Sequence, residues 1–133
     1  MFAGCKNIID INFNSFNTKY IRNMKYMFYD CINLKKLNLF SFNTKNVINM
    51  EGIFGDCKSL NNLILSYFEV KNVYNMSYMF YNCENLKKLD LFSLNNINAN
   101  NMSCMFYNCK NIINLDFSFL DTKKTQKELS FLI

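Results

Sequence analysis

The sequence predicts an α/β solenoid: a right-handed coil of five 26-residue turns, with short parallel strands on one face and short helical or 3₁₀ segments on the other. Three observations predict it. Apolar residues return at a fixed period with no insertion or deletion. Each period holds a pair of apolar residues two apart. Each also holds an apolar series at steps of three and four.

The period is plainest in two near-identical stretches. YMFYDCINLKKLNLFS (Tyr26 to Ser41) and YMFYNCENLKKLDLFS (Tyr78 to Ser93) share thirteen of sixteen letters, two periods apart. At a period of 26, Cys5, Cys31, Cys57, Cys83 and Cys109 align, as do Phe2, Phe28, Phe54, Phe80 and Phe106. Ile8, Leu34, Leu60, Leu86 and Ile112 form another column, and Met24, Met50, Met76 and Met102 a fourth. The repeats are 1–26, 27–52, 53–78, 79–104 and 105–130, within a single domain spanning 1–133. Met1-Phe2-Ala3-Gly4 enters midway through a repeat and does not read as a polar cap, so the chain is expected to be part of a longer array.

The elements follow from spacing within one repeat. In Leu34-x-x-Leu37-x-Leu39 the last two Leu lie two apart, which predicts a short strand with both pointing inward. Val47, Met50, Ile53, Phe54 and Cys57 recur at three- and four-residue steps, which predicts one face of a short helical or 3₁₀ segment. With no Pro and only three Gly, the corners fall to Asn and Asp, which tolerate left-handed backbone and bond their own chain. One strand and one helical turn per repeat fit the leucine-rich repeat class, whose period is roughly 20–29 residues.

Composition sets bounds. Half of the 133 residues are hydrophobic, enough for one continuous core if the repeats stack. No apolar run is long enough for a membrane-spanning segment, and no stretch has the basic, apolar and small-residue order of a secretion signal. The net charge of +5 is mild and spread along the chain.

The columns spell a further pattern. CKSLNNLILSYFEVKNVYNMSYMF (Cys57 to Phe80) and NCENLKKLDLFS resemble the BspA-like leucine-rich repeats of bacterial and protist surface proteins, from residue 1 to about 120. That resemblance implies a cell-surface or secreted, non-enzymatic protein used in adhesion and protein binding. The sequence departs from the usual plan in lacking a secretion signal and a lipid-anchor Cys, which leaves a cytoplasmic location open. It also carries Phe42 and Phe68 where an ordinary leucine-rich repeat has Asn, while Asn23, Asn49, Asn75 and Asn101 form a different ladder.

Chemistry-bearing residues are sparse. The Cys column lacks the paired spacing and His partners of a zinc site, and reads as a ladder of buried thiols. Cys104 is out of phase, in the column of Tyr26 and Tyr78. With no His and no Gly-rich phosphate loop, the inventory argues against an enzyme and against any cofactor. Asn75-Met-Ser77 and Asn101-Met-Ser103 match the glycosylation pattern, but their place in the Asn ladder favours a structural role.

The outward strand positions are where function is expected. If Leu37 and Leu39 point in, then Lys36, Asn38 and Phe40 point out, followed by Asn62 and Ile64, then Lys88, Asp90 and Phe92, then Asn114 and Asp116. Phe40, Ile64 and Phe92 would form an apolar strip rimmed by charge, as interfaces are. The expected partner is a protein, host or extracellular, and the expected role is that of a non-catalytic interaction module. The competing reading is a polyanion or single-stranded nucleic-acid binding solenoid, suggested by Lys25, Tyr26 and Tyr29 and disfavoured by nearby acidic residues.

Overall fold

From Asn23 onward the backbone makes one turn after another. In this computed structural model, which describes residues 1–90, 94 and 99–113, the amides of Met27, Tyr29, Cys31 and Leu34 each bond the carbonyl three residues back, at 3.0–3.3 Å. The amides in between reach sideways. Those of Met24, Tyr26, Phe28 and Asp30 bond the carbonyls of Asn49, Glu51, Ile53 and Gly55, all at 2.9 Å. The same alternation recurs from Met50 to Asp56 and from Met76 to Asn82. Half of these peptides close local turns and half tie one repeat to the next, so the segment's buried donors are satisfied without a helix.

The expected α/β solenoid is therefore corrected. The described residues contain no α-helix, and their two strands, β1 (Asn62–Leu63) and β2 (Lys88–Leu89), are two residues long each. Most of the described chain is irregular, built from turns. The cause of the missing helix is backbone handedness. An α-helix needs an unbroken right-handed run with bonds to the fourth residue back. Here Tyr26, Gly52, Tyr78 and Cys104, one column, all have φ between 54° and 58°. Gly4, Asp30, Asp56, Asn82 and Asn108, a second column four residues on, are left-handed too. Two left-handed residues per repeat stop any helix, yet successive turns keep the three-residue apolar spacing that resembles one.

The strands are short for a similar reason. β1 and β2 pair in parallel, Asn62 with Lys88 and Leu63 with Leu89. Turns closed by Phe42 onto Leu39, and by Phe68 onto Leu65, bend the chain away soon after. Asn38 Oδ1 accepts the Phe40 amide at 3.0 Å, which turns that residue too.

Between the turns lies an apolar interior. The rings of Phe2, Phe28, Phe54, Phe80 and Phe106 stack in sequence, with centroids 5.3–5.9 Å apart and planes within 15°. Met24, Met50, Met76 and Met102 are buried beside them. Cys31, Cys57 and Cys83 are buried free thiols. The thiols of Cys31, Cys57, Cys83 and Cys109 each donate to a Phe carbonyl of the preceding repeat, at 2.9–3.2 Å. Burial pushes the Cys57 and Cys83 thiols well up, and Cys109 up to about 12.

Polar side chains fasten the corners. Asn23, Asn49, Asn75 and Asn101 join through parallel backbone bridges, and each side-chain oxygen accepts the amide two residues on. Thr18 and Thr44 are buried. Each hydroxyl accepts an amide at 2.7 Å, from Asn43 and Glu69 respectively. Asn33, Asn46, Asn72, Asn85 and Asn111 each donate to a carbonyl 27 residues earlier.

Candidate functional site

The inward and outward alternation expected of Leu37 to Phe40 holds residue by residue. Leu37 and Leu39 are buried, while Lys36, Asn38 and Phe40 are exposed. One repeat on, Leu63 and Leu65 are buried, and Asn62, Ile64 and Ser66 are exposed. Lys88 and Asp90 stand out on the next. These residues gather on one face. Phe92, Asn114 and Asp116, also expected there, lie outside the described residues.

That face carries two adjoining grooves. One, of about 580 Å³, runs among Asp10, Lys36, Asn38, Phe40, Ile64 and Tyr67. The other, of about 600 Å³, runs among Ile64, Lys88, Leu89, Asp90 and Ile113. Asn62 and Ile64 line both, so the pair forms one trough crossing several repeats. Its apolar contribution is considerable: Phe40, Ile64 and Ile113 are 68%, 67% and 70% exposed. Phe40 does not fold into a corner. Its ring meets that of Tyr67 edge-on, with centroids 4.8 Å apart. Ser66 Oγ donates to Asp90 at 3.2 Å, fixing that carboxylate at the rim. Such a trough can take apolar side chains between Phe40, Ile64 and Tyr67, while Lys36, Lys88 and Asp90 bond the polar groups beside them.

Tyr67 and Ile113 belong to this face, and reasoning from strand alternation missed both. Tyr67 had a signal. Its column is otherwise Ser15, Ser41, Ser93 and Phe119, so it interrupts a run of small polar residues. Ile113 had less, since its column mixes Ile9, Lys35, Asn61 and Lys87.

The basic and aromatic cluster behind the nucleic-acid reading is differently used. Lys25 Nζ pairs with Glu51 at 2.9 Å and lies 4.8 Å above the Tyr26 ring. Its charge is already partnered, which weakens it as a phosphate contact. Among the described residues no three His, Cys, Asp or Glu side chains are grouped to hold a metal ion. Among the same residues no helix is long and apolar enough to cross a membrane.

No curated protein and no solved structure matches the chain. A family model does match, over residues 1–118. The chain belongs to the family described as "Mycoplasma protein of unknown function, DUF285".

Proposed function

We propose that this chain is a non-catalytic protein-interaction module of a cell-surface, adhesin-like protein. The trough is its contact surface, and an extracellular or host protein is its partner. The observation that carries the reading is the joint exposure of Phe40, Ile64, Tyr67 and Ile113 along one face. Apolar side chains left exposed to water in a continuous row mark an interaction surface more often than scattered ones do. Their backbone is tied to neighbouring repeats, so the face is held in shape before a partner arrives, which lowers the ordering cost of binding. The resemblance to BspA-like surface repeats supports the location and the adhesive role.

The test has two parts. External protease on intact source cells should remove the protein from an immunoblot; protection would sink the surface assignment. The purified chain is then titrated against a panel of purified extracellular matrix and serum proteins. Binding should survive added salt and drop at least about tenfold in Ile64→Lys, a loss of roughly 1.4 kcal/mol, with the unfolding midpoint kept. Binding that ignores Ile64→Lys, or collapses with salt as phosphate contacts do, would sink the apolar trough as the contact surface.

A further inference from the structure

On a different part of the repeat, four tyrosines enclose a slot. Tyr26, Tyr29, Tyr78 and Tyr81 line a cavity of about 260 Å³. Tyr26 and Tyr29 lie three residues apart, and Tyr78 and Tyr81 stand in the same columns two periods later. At the period in between, Gly52 and Gly55 occupy those columns. A side chain there would collide with the rings. A Cβ on Gly52 would overlap the Tyr26 ring, and one on Gly55 would sit 2.8 Å from Tyr29 Cδ2. The glycine pair therefore lets the Tyr26 and Tyr29 rings lie close against the backbone of the next period, where they form one side of the slot. The walls are themselves supported, since Tyr26 meets Tyr29 at 5.1 Å, Tyr78 meets Tyr81 at 5.6 Å, and Tyr81 stacks on Tyr107 at 5.2 Å.

We propose that this slot binds a quaternary ammonium head group of the choline type. Aromatic faces carry negative potential and attract cations. The structure already holds one such contact, the Lys25 ammonium 4.8 Å above Tyr26. The Lys25 charge is balanced by Glu51. A second carboxylate, Asp56, accepts a hydrogen bond from a neutral donor, Asn82, at 2.8 Å. The local field thus favours a further cation and disfavours an anion. Glu51 already accepts from Tyr26, Lys25 and Asn75, and Asp56 from Asn82. Fewer carboxylate acceptor positions remain for the N–H groups of a primary ammonium, whereas a methylated cation has none to satisfy. A neutral sugar or base would gain stacking but nothing from the carboxylate.

The experiment titrates the full 133-residue chain with choline chloride, followed by tyrosine fluorescence and aromatic proton shifts at constant ionic strength. The comparison ligand is 3,3-dimethyl-1-butanol, which replaces the charged nitrogen by carbon and keeps the shape. Saturable choline binding is expected, with the neutral isostere at least about tenfold weaker. Tyr81→Leu should weaken choline about tenfold. Tyr78→Gly should do the same and is the safer variant, because Tyr78 is left-handed (φ 58°) and glycine already fills the equivalent place at Gly52. Equal affinity for the two ligands, no saturable response, or full binding in folded Tyr78→Gly would each overturn the proposal.

Discussion

Removing the ring of Phe54 should cost more than removing any comparable ring near the start of the chain. Phe54 has no exposed surface. It stacks on Phe28 at 5.9 Å and on Phe80 at 5.7 Å, so Phe54→Ala opens a gap in the middle of the ring column. Turns bonded to both neighbouring repeats limit how far the walls can close on it. Phe→Ala in such a site costs about 3–5 kcal/mol, transfer and cavity terms together. That is a large share of the roughly 5–15 kcal/mol stability of a small domain. Phe2, by contrast, is partly exposed and stacks on one ring of the column, Phe28, with a T-shaped contact to Phe13 and a tilted one to Phe16, so Phe2→Ala should cost about 1–3 kcal/mol. Urea unfolding followed by circular dichroism reads the difference. With a slope of about 1.5 kcal/mol/M, Phe54→Ala should lower the midpoint by about 2–3 M with the slope unchanged. A loss no greater than that of Phe2→Ala would refute the claim that the ring column is one continuous core.

Three further outcomes follow from the turns and the thiols. Gly52→Ala should cost about 1–2 kcal/mol from its left-handed backbone, plus displacement of the Tyr26 ring; in urea melts, Tyr26→Ala should recover the second part but not the first. Thr44→Val leaves the Glu69 amide without its 2.7 Å partner and should cost about 1–3 kcal/mol; Val70, one repeat on, shows that the volume is tolerated, so a near-neutral melt would mean that water replaces the hydroxyl. Stability should also fall above pH 9. The thiols of Cys31, Cys57, Cys83 and Cys109 have raised folded values, so the unfolded chain loses those protons first as pH rises through the ordinary thiol value of 9.0. Each thiol then removes up to about 1.4 kcal/mol per pH unit until its folded value is reached, and Tyr29, raised to about 12 by its bond to Asp56, acts in the same direction. Urea midpoints measured from pH 7 to 10 should drop, and Cys57→Ala with Cys83→Ala should shallow that slope; a flat profile in the parent chain would show that these thiols titrate alike folded and unfolded.

The sequence by itself determined which residues face inward, which face outward and how one repeat registers on the next. Inward Leu, Met, Phe and Cys must recur because each repeat presents the same surface to its neighbour, and that constraint is written at every period. It also determined that Lys36, Asn38, Phe40, Asn62, Ile64, Lys88 and Asp90 would share a face, because alternation about buried Leu residues is a local property. The path between those points was decided only in three dimensions. Apolar residues three apart suit a helix and a chain of turns equally well, and the choice here rests on amides bonding carbonyls 25 residues away. The left-handed column is equally hard to read, because Tyr26, Tyr78 and Cys104 are not residues that announce positive φ, and only Gly52 among them hints at it. Tyr67 became part of the trough, and Gly52 and Gly55 the seat of the Tyr26 and Tyr29 rings, because of which side chains lie one or two repeats away. Distances between repeats come from packing, and a single period of letters does not contain them.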